Sequence, residues 1–317
     1  MNTTTQVPFF SVIIPLYNKE KYIEATLKSV LKQTFLDFEV VIVDDGSTDN
    51  SLNIVSQFKN SKITLLEQKN LGASCARNKA ISNSKGKYIA PLDADDIWYE
   101  NHLSELKKLI ETFPNAGVFC NNYEVKLSEH LIKVANFNFN YKNELLIIPD
   151  FFDANIYNYI ATSSSSAFLK SSFFEIGTYD TSLRTGQDLD LWLKFALKYE
   201  VAFNPCITMM YNHFDASSLS NSKYNNDRYN FINSYKNEEK NNLSLKKYLD
   251  VNRYALSLRC IVNDEKDLYK KLKNEIDYKN LNFKQKLLIN CPKYILKFAK
   301  VFHTVLIKNG IYYSANS

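Results

Sequence analysis

The first two thirds of this chain predict an α/β fold with a mainly parallel sheet flanked by helices, and the last third predicts a helical appendage. Three observations carry this reading. From Phe9 to about Cys120, short β-rich runs alternate with stretches of helical period, as in successive βα units. Two acidic clusters, Asp44 and Asp45 in IVDDGSTD and Asp93, Asp95 and Asp96 in APLDADDIW, each follow an apolar or β-branched run. Beyond about residue 221, apolar positions recur at helical spacing between Asn-rich and charged connections.

In chain order, strands are expected at 11–15, 39–44, 62–67, 87–92 and 117–120. Helices are expected at 21–33, where Tyr22, Ile23, Leu27, Val30 and Leu31 share a face, at 103–113, and from about Gln187 through Trp192 and Leu193. Ser47 or Thr48 is placed to cap a helix starting near Asp49. The stretch 121–159, rich in Asn, Phe and Tyr, carries no clear period. Two domains follow, 1–220 and 221–317.

With 7 glycines, 7 prolines and 45% hydrophobic residues among 317, the chain is too apolar and too poor in linker residues to be disordered. The cysteines, 75, 120, 206, 260 and 291, are odd in number and widely spaced, so reduced thiols are expected rather than a disulfide frame or a zinc site. Met1 to Gln6 is polar and uncharged and the first apolar run is strand-length, so neither a signal peptide nor a membrane span is expected, and the location implied is cytoplasmic.

The net charge of +5 conceals an asymmetry of −5 over residues 1–219 and +10 over 220–317. After Asp277 there is no acidic residue, whereas Lys279, Lys284, Lys286, Lys293, Lys297, Lys300 and Lys308 interleave with apolar positions. Two readings fit. Such helices suit an anionic membrane, with the protein peripheral on the inner face of the plasma membrane, or they pack on the main domain with their lysines in water. Nucleic acid is not an expected partner, because no recognised module accompanies the lysines.

Carboxylates crowded at strand ends raise one another's pKa unless a cation or a donor-rich ligand joins them. In an open α/β sheet that edge is the ligand edge. A divalent metal carrying a phosphate ligand is the natural partner. Pro15 and Tyr17 after the first strand can make a flat shelf for a base, Gly72 permits close backbone approach, and Arg77 supplies a fixed cation on a helix.

In this order and spacing, SVIIPLYN, IVDDGSTD, GASCARN and LDADDIW resemble the inverting family-two glycosyltransferases of the Rossmann-like GT-A fold, of the bacterial surface-polysaccharide type. FEIGTYDTSL, GQDLDLWLKFA and YNHFDASSLS continue the resemblance, which covers about residues 8–220. It implies that Tyr17 and Asp45 bind uracil, with Pro15 lining the base, Arg77 nearby and Asp44 supporting the turn. LDADD is similar to the family's DxD element, so Asp95 is implied as ligand of Mn²⁺ or Mg²⁺ with Asp93 and Asp96 in support on ribose or donor sugar, though both DxD and DD pairings fit. His213 resembles the histidine that approaches the metal or pyrophosphate. Asp188 is implied as general base, with Gln187 where relatives commonly have Glu, and Lys194 and Tyr211 where Arg is frequent. Asp190 is expected to be structural.

The function implied is metal-dependent, inverting transfer of a hexose or N-acetylhexosamine from a UDP-sugar to a hydroxyl of a glycan or lipid-linked acceptor. A catalytically silent sugar-binding homologue and a polyprenyl-phosphate sugar transferase are the alternatives. A nucleotidyltransferase is disfavoured, since the glycine-rich loop such enzymes place after the first strand is missing.

Overall fold

Seven residues of almost unbroken apolar character, FSVIIPL, form β1 (Phe10–Leu16), and Val12, Ile13 and Ile14 in it are fully buried. A strand covered on both faces reads as continuous rather than alternating apolarity, and this one lies between two parallel neighbours. In this computed structural model, which describes residues 7–213 and 224–308, those neighbours are β2 (Phe38–Asp44) and β4 (Tyr88–Pro91). Their registers set Pro15 beside Val43, Leu16 beside Asp44 and Ile13 beside Pro91. β3 (Ile63–Glu67) extends the parallel half beyond β2. α1 (Ile23–Leu31) buries Ile23, Leu27 and Val30, one face of a helix, at roughly 1.5–3 kcal/mol for each fully covered side chain. α2 (Ser51–Ser56) and α3 (Ala73–Asn83) make the next two crossovers.

Past β4 the sheet changes sense. β5 (Ile97–Trp98), α4 (His102–Thr112), β6 (Val118–Ser128), β7 (Leu131–Val134), β8 (Leu146–Ile147), α5 (Phe151–Ala154), β9 (Ser166–Leu169), α6 (Lys170–Glu175), α7 (Gln187–Lys198) and β10 (Val201–Asn212) follow in the chain. The strand order is β3-β2-β1-β4-β9-β6-β10-β5, with β7 on β6 and β8 on β10. β9 runs antiparallel to both β4 and β6, so the strand expected at 117–120 is longer than its apolar core and is not the next parallel neighbour. The sheet is mixed because the short segment SAFL, silent as a sequence signal, inserts between β4 and β6.

The helix expected near Asp49 starts at Ser51, and its N-cap, Asn50, makes no side-chain cap bond. Ser47 and Thr48 serve Asn18 instead: the Asn18 N–H donates to Ser47 Oγ (3.1 Å), and the Thr48 N–H donates to Asn18 Oδ1 (2.8 Å). Asn18 itself takes a left-handed φ of 51°, which asparagine tolerates better than most side chains.

Two compact units divide the chain. The first holds the residues up to Val125 with Tyr141–Pro149 and Ile160–Asn212; the second holds Lys126–Asn140, Asp150–Tyr159 and the chain from His213 on. Two segments of the stretch without clear period thus belong to the second unit. In the second unit are α8 (Asn225–Ser234), α9 (Leu243–Asn263), α10 (Lys266–Glu275), α11 (Phe283–Leu288) and α12 (Lys293–Lys308). Tyr254, Ile276, Leu281 and Ile289 form an apolar cluster there. Beside it Arg253, fully buried, donates to Asp250 (2.9 Å) and Glu239 (2.8 Å), a pairing that a buried guanidinium requires. All five cysteines are free thiols. Among the described residues no helix is long and apolar enough to cross a membrane.

Candidate active site

The carboxyl ends of β1, β2 and β4 meet because the three strands are parallel and in register, and the loops that leave them are tied together. Beyond β1, the Lys19 N–H donates to Ser51 Oγ (2.8 Å) and the Glu20 N–H to Asp49 Oδ2 (3.1 Å), which fixes the first loop to the second. Tyr17, 44% exposed, stands at this edge, and Pro15 is half-buried in the strand behind it.

Asp44 and Asp45 are both nearly buried, yet they do different work. Asp44 Oδ2 accepts from the N–H groups of Gly46 (3.1 Å) and Ser47 (3.0 Å), which holds the turn. Gly46 sits at a φ of 74°, and a Cβ there would lie 3.0 Å from Asn70 N, so the turn needs glycine. Asp45 accepts from Gln68 Nε2 (2.8 Å) and from the N–H groups of Leu71 (2.8 Å) and Gly72 (2.9 Å), anchoring the loop that starts α3.

Arg77, on α3 and 4% exposed, is the hub of the site. Its Nη2 lies 2.7 Å from Asp93 Oδ1 and its Nη1 3.4 Å from Asp188 Oδ1, while its guanidinium lies over the Tyr179 ring at 5.4 Å. Burial alone would discourage the charge, but Asp188 and Asp93 outweigh it and the guanidinium stays protonated. Asn78 holds the loop bearing Tyr179 by exchanging bonds with its backbone: Nδ2 donates to Tyr179 O (2.9 Å), and the Tyr179 N–H donates to Oδ1 (3.1 Å).

The acidic triplet after β4 is spread over three environments. Asp93 faces Arg77, and its N–H donates to Ser164 Oγ (3.0 Å). Asp95 pairs with Lys19 Nζ at 2.7 Å, both side chains being largely covered. Asp96 is 1% exposed and works inside the protein: Oδ2 accepts from Ser164 Oγ (2.5 Å) and Oδ1 from the Asn212 N–H (2.8 Å) at the end of β10. Desolvation, with Asp95 and Asp93 adding to it, raises the Asp96 pKa well above the carboxylate range against those two hydrogen bonds. Its position suits a fastener between β10 and the triplet loop more than a group that touches a sugar.

Asp188 opens α7 after Gly186, whose left-handed φ of 84° lets the chain turn into the helix. Its side chain is 34% exposed, and Oδ1 also accepts from Ser163 Oγ (3.0 Å). Desolvation raises its pKa, Arg77 pulls it back, Asp93 raises it and Ser163 lowers it; the balance lies above the usual carboxylate range. A carboxylate so tuned accepts protons better than an ordinary aspartate. Neighbouring Gln187 is buried and its Oε1 lacks a hydrogen-bond partner among the described residues. Asp190 turns inward and pairs with Lys194 (2.6 Å), a structural use.

The carboxylates described so far have side-chain or backbone partners. Among the described residues no three carboxylate, imidazole or thiol side chains converge into a cage. The ammonium of Lys19 on Asp95 nevertheless stands where a cation would, and magnesium commonly takes one or two carboxylates together with substrate phosphates. Asp95 therefore fits a divalent ion that arrives with a diphosphate. His213 follows β10 and belongs to the second unit, where its N–H donates to Lys126 O (3.1 Å). Desolvation lowers its pKa, which favours the neutral imidazole that ligates metals.

Lys19, Ser163, Ser164 and Tyr179 are the site residues that sequence reasoning missed. The run of four serines from Ser163 to Ser166 was the available signal. A cavity of about 490 Å³ lined by Gly86, Lys87, Leu169, Lys170, Ser171 and Phe174 lies at the other end of β4 and has no carboxylate in its wall.

Residues 11–175, just over half of the chain, match the family described as Glycosyl transferase family 2; Asp188 and His213 lie beyond that span. An uncharacterized glycosyltransferase of Rickettsia typhi is 28% identical over 222 residues, 69% of this chain and 69% of that protein. The UDP-Glc:alpha-D-GlcNAc-diphosphoundecaprenol beta-1,3-glucosyltransferase WfgD of Escherichia coli is 41% identical over 116 residues, 36% of this chain and 46% of its own length. The glycosyltransferase GlyG of Streptococcus pneumoniae is 40% identical over 116 residues, 36% and 38%. The chain thus spans less than half the length of these last two. Among solved structures, S. aureus TarS 1-349 in complex with UDP-GlcNAc superimposes with a TM-score of 0.68 at 19% identity, covering 96% of this chain and 93% of that one, which is a likeness of fold. The strand-end carboxylates, the Arg77 hub and the family match lead to one conclusion: the chain belongs to glycosyl transferase family 2 and is a glycosyltransferase of mixed α/β, GT-A-like fold.

Proposed function

We propose that this enzyme transfers a hexose or N-acetylhexosamine from a UDP-sugar, with inversion, to a hydroxyl of a glycan or lipid-linked acceptor in surface polysaccharide biosynthesis. One observation carries the reading: a single buried guanidinium, Arg77, touches both the carboxylate at the donor edge, Asp93, and the candidate base, Asp188. Donor and acceptor chemistry then share one cleft. The UDP-Glc and lipid-diphosphate acceptor in the name of the E. coli relative, and the UDP-GlcNAc complex of the structural neighbour, support the donor and acceptor classes.

Asp188 Oδ1 is held by Ser163 and Arg77, whereas Oδ2 takes no hydrogen bond from a described residue. It accepts the proton of the acceptor hydroxyl as that oxygen bonds to the anomeric carbon. The bond from that carbon to the diphosphate oxygen breaks, and UDP leaves with the electron pair. Tyr17 and Pro15 receive the uracil ring, and Asp45 keeps the loop before α3 in place beside it. Mn²⁺ or Mg²⁺ at Asp95 would supply neutralisation of the leaving diphosphate. The basic C-terminal helices place the enzyme peripherally on the inner face of the plasma membrane, beside a lipid-linked acceptor.

A panel of UDP- and GDP-sugars, with and without Mn²⁺, read by nucleoside diphosphate release, tests the reading. Release from a UDP-sugar that requires metal is expected. A GDP preference, or full release in EDTA, would refute the donor or the metal assignment respectively.

A further inference from the structure

We propose that the exposed face of α12 is a docking surface for anionic lipid. This names the contact behind the peripheral location proposed above and rests on that reading, but it is read by binding alone. α12 packs against α9, and its buried residue is Leu296, with His303, Leu306 and Ile307 half-buried. The large apolar side chains are elsewhere: Tyr294 is 73% exposed, Phe298 73%, Val301 63%, Phe302 54%, Val305 47% and Ile295 41%.

At about 100° per residue these six fall within an arc of about 120° centred opposite Leu296 and Ile307. The helix therefore carries two apolar faces, one used inside the unit and one turned outward. Phe283 and Leu287, a helical turn apart on α11, are likewise exposed, at 76% and 56%. Lys297, exposed, flanks the outward stripe about 40° from Val301, while Lys300, also exposed, lies further round, and Lys293 pairs with Asp264.

Charge decides between occupants. No acidic residue follows Asp277, so two copies of α12 meeting along this stripe would set lysine against lysine with no carboxylate of their own to relieve it. An anionic bilayer answers both features, taking the aromatic and aliphatic side chains into the headgroup boundary and the lysines at its surface.

The test is sedimentation of the full chain with vesicles of phosphatidylcholine alone or with phosphatidylglycerol added, for wild type, Phe298→Gln/Phe302→Gln and Lys297→Glu/Lys300→Glu. Wild type is expected to pellet with the anionic vesicles and much less with the neutral ones, and each double variant to bind roughly tenfold or more weakly. These are surface positions, so circular dichroism and melting should match wild type. Equal recovery of wild type in the supernatant with both vesicle types, or undiminished binding by both variants, overturns the proposal. So does concentration-dependent dimerisation of wild type in lipid-free buffer that the Phe298→Gln/Phe302→Gln variant loses, because the face would then belong to a second copy. UDP release with a soluble acceptor should survive in both variants. If no protein, wild type included, releases UDP, the transferase reading fails while the vesicle result stands.

Discussion

The Arg77 guanidinium lies 3.4 Å from the Asp188 carboxylate at the mouth of α7, with its other nitrogen 2.7 Å from Asp93. The buried cation steadies two carboxylates that would otherwise repel each other, and it limits how far the Asp188 pKa is raised. Four expectations follow from this and its neighbouring contacts.

Asp188→Asn removes the proton acceptor but keeps the shape of the side chain. Sugar transfer should fall by about 10²- to 10⁴-fold, the usual contribution of a general base. UDP binding, measured by calorimetry, should stay within a few-fold of wild type. Retention of near-full turnover would exclude Asp188 as the base.

Ser163→Ala deletes a hydrogen bond that favours the ionised form of Asp188. Its loss raises the Asp188 pKa further. The base works deprotonated, so activity is lost as pH falls through that pKa, and the acidic limb of the kcat/KM profile should move to higher pH in the variant. A limb that stays in place would show that another group governs it.

Lys19→Met frees Asp95 from the ammonium that stands in the cation position. Mn²⁺ binding in the presence of UDP should tighten by roughly three- to tenfold if ammonium and metal compete for one carboxylate, a difference of about 1 kcal/mol. Electron paramagnetic resonance of free Mn²⁺ measures it. Weaker binding would mean that Lys19 assists the diphosphate more than it competes with the metal.

Asp96→Asn mimics the protonated form of a carboxyl whose folded pKa is raised well above its ordinary value by desolvation, then by Asp95 and Asp93. For such a group the stabilisation is complete below the unfolded pKa, near 3.9, and is lost as pH rises through the folded pKa. The variant should therefore melt near wild type in acid and above it at pH 8. A variant that melts lower at every pH would show that the Ser164 and Asn212 bonds need the carboxylate.

The parallel half of the fold was legible in the chain because its cause is local. Val12 to Ile14 and Val40 to Val43 are continuous apolar runs, which is what strands covered on both faces require, and the acidic clusters mark where β2 and β4 end. The face of α1 and the start of α7 were legible for the same reason. The stretch 121–159 was less so, since two of its segments join the second unit through contacts remote in sequence.

What the amino-acid order determined, then, was which residues carry charge and which segments become strands and helices. Tertiary structure decided their partners. Lys19 reaches Asp95 across 76 residues, Ser164 reaches Asp96 across 68, and Arg77 gathers Asp93 and Asp188 from separate elements. Periodicity reports burial one segment at a time. Ion pairing and pKa depend on distance and dielectric, and those exist only once β4, α3 and α7 have packed.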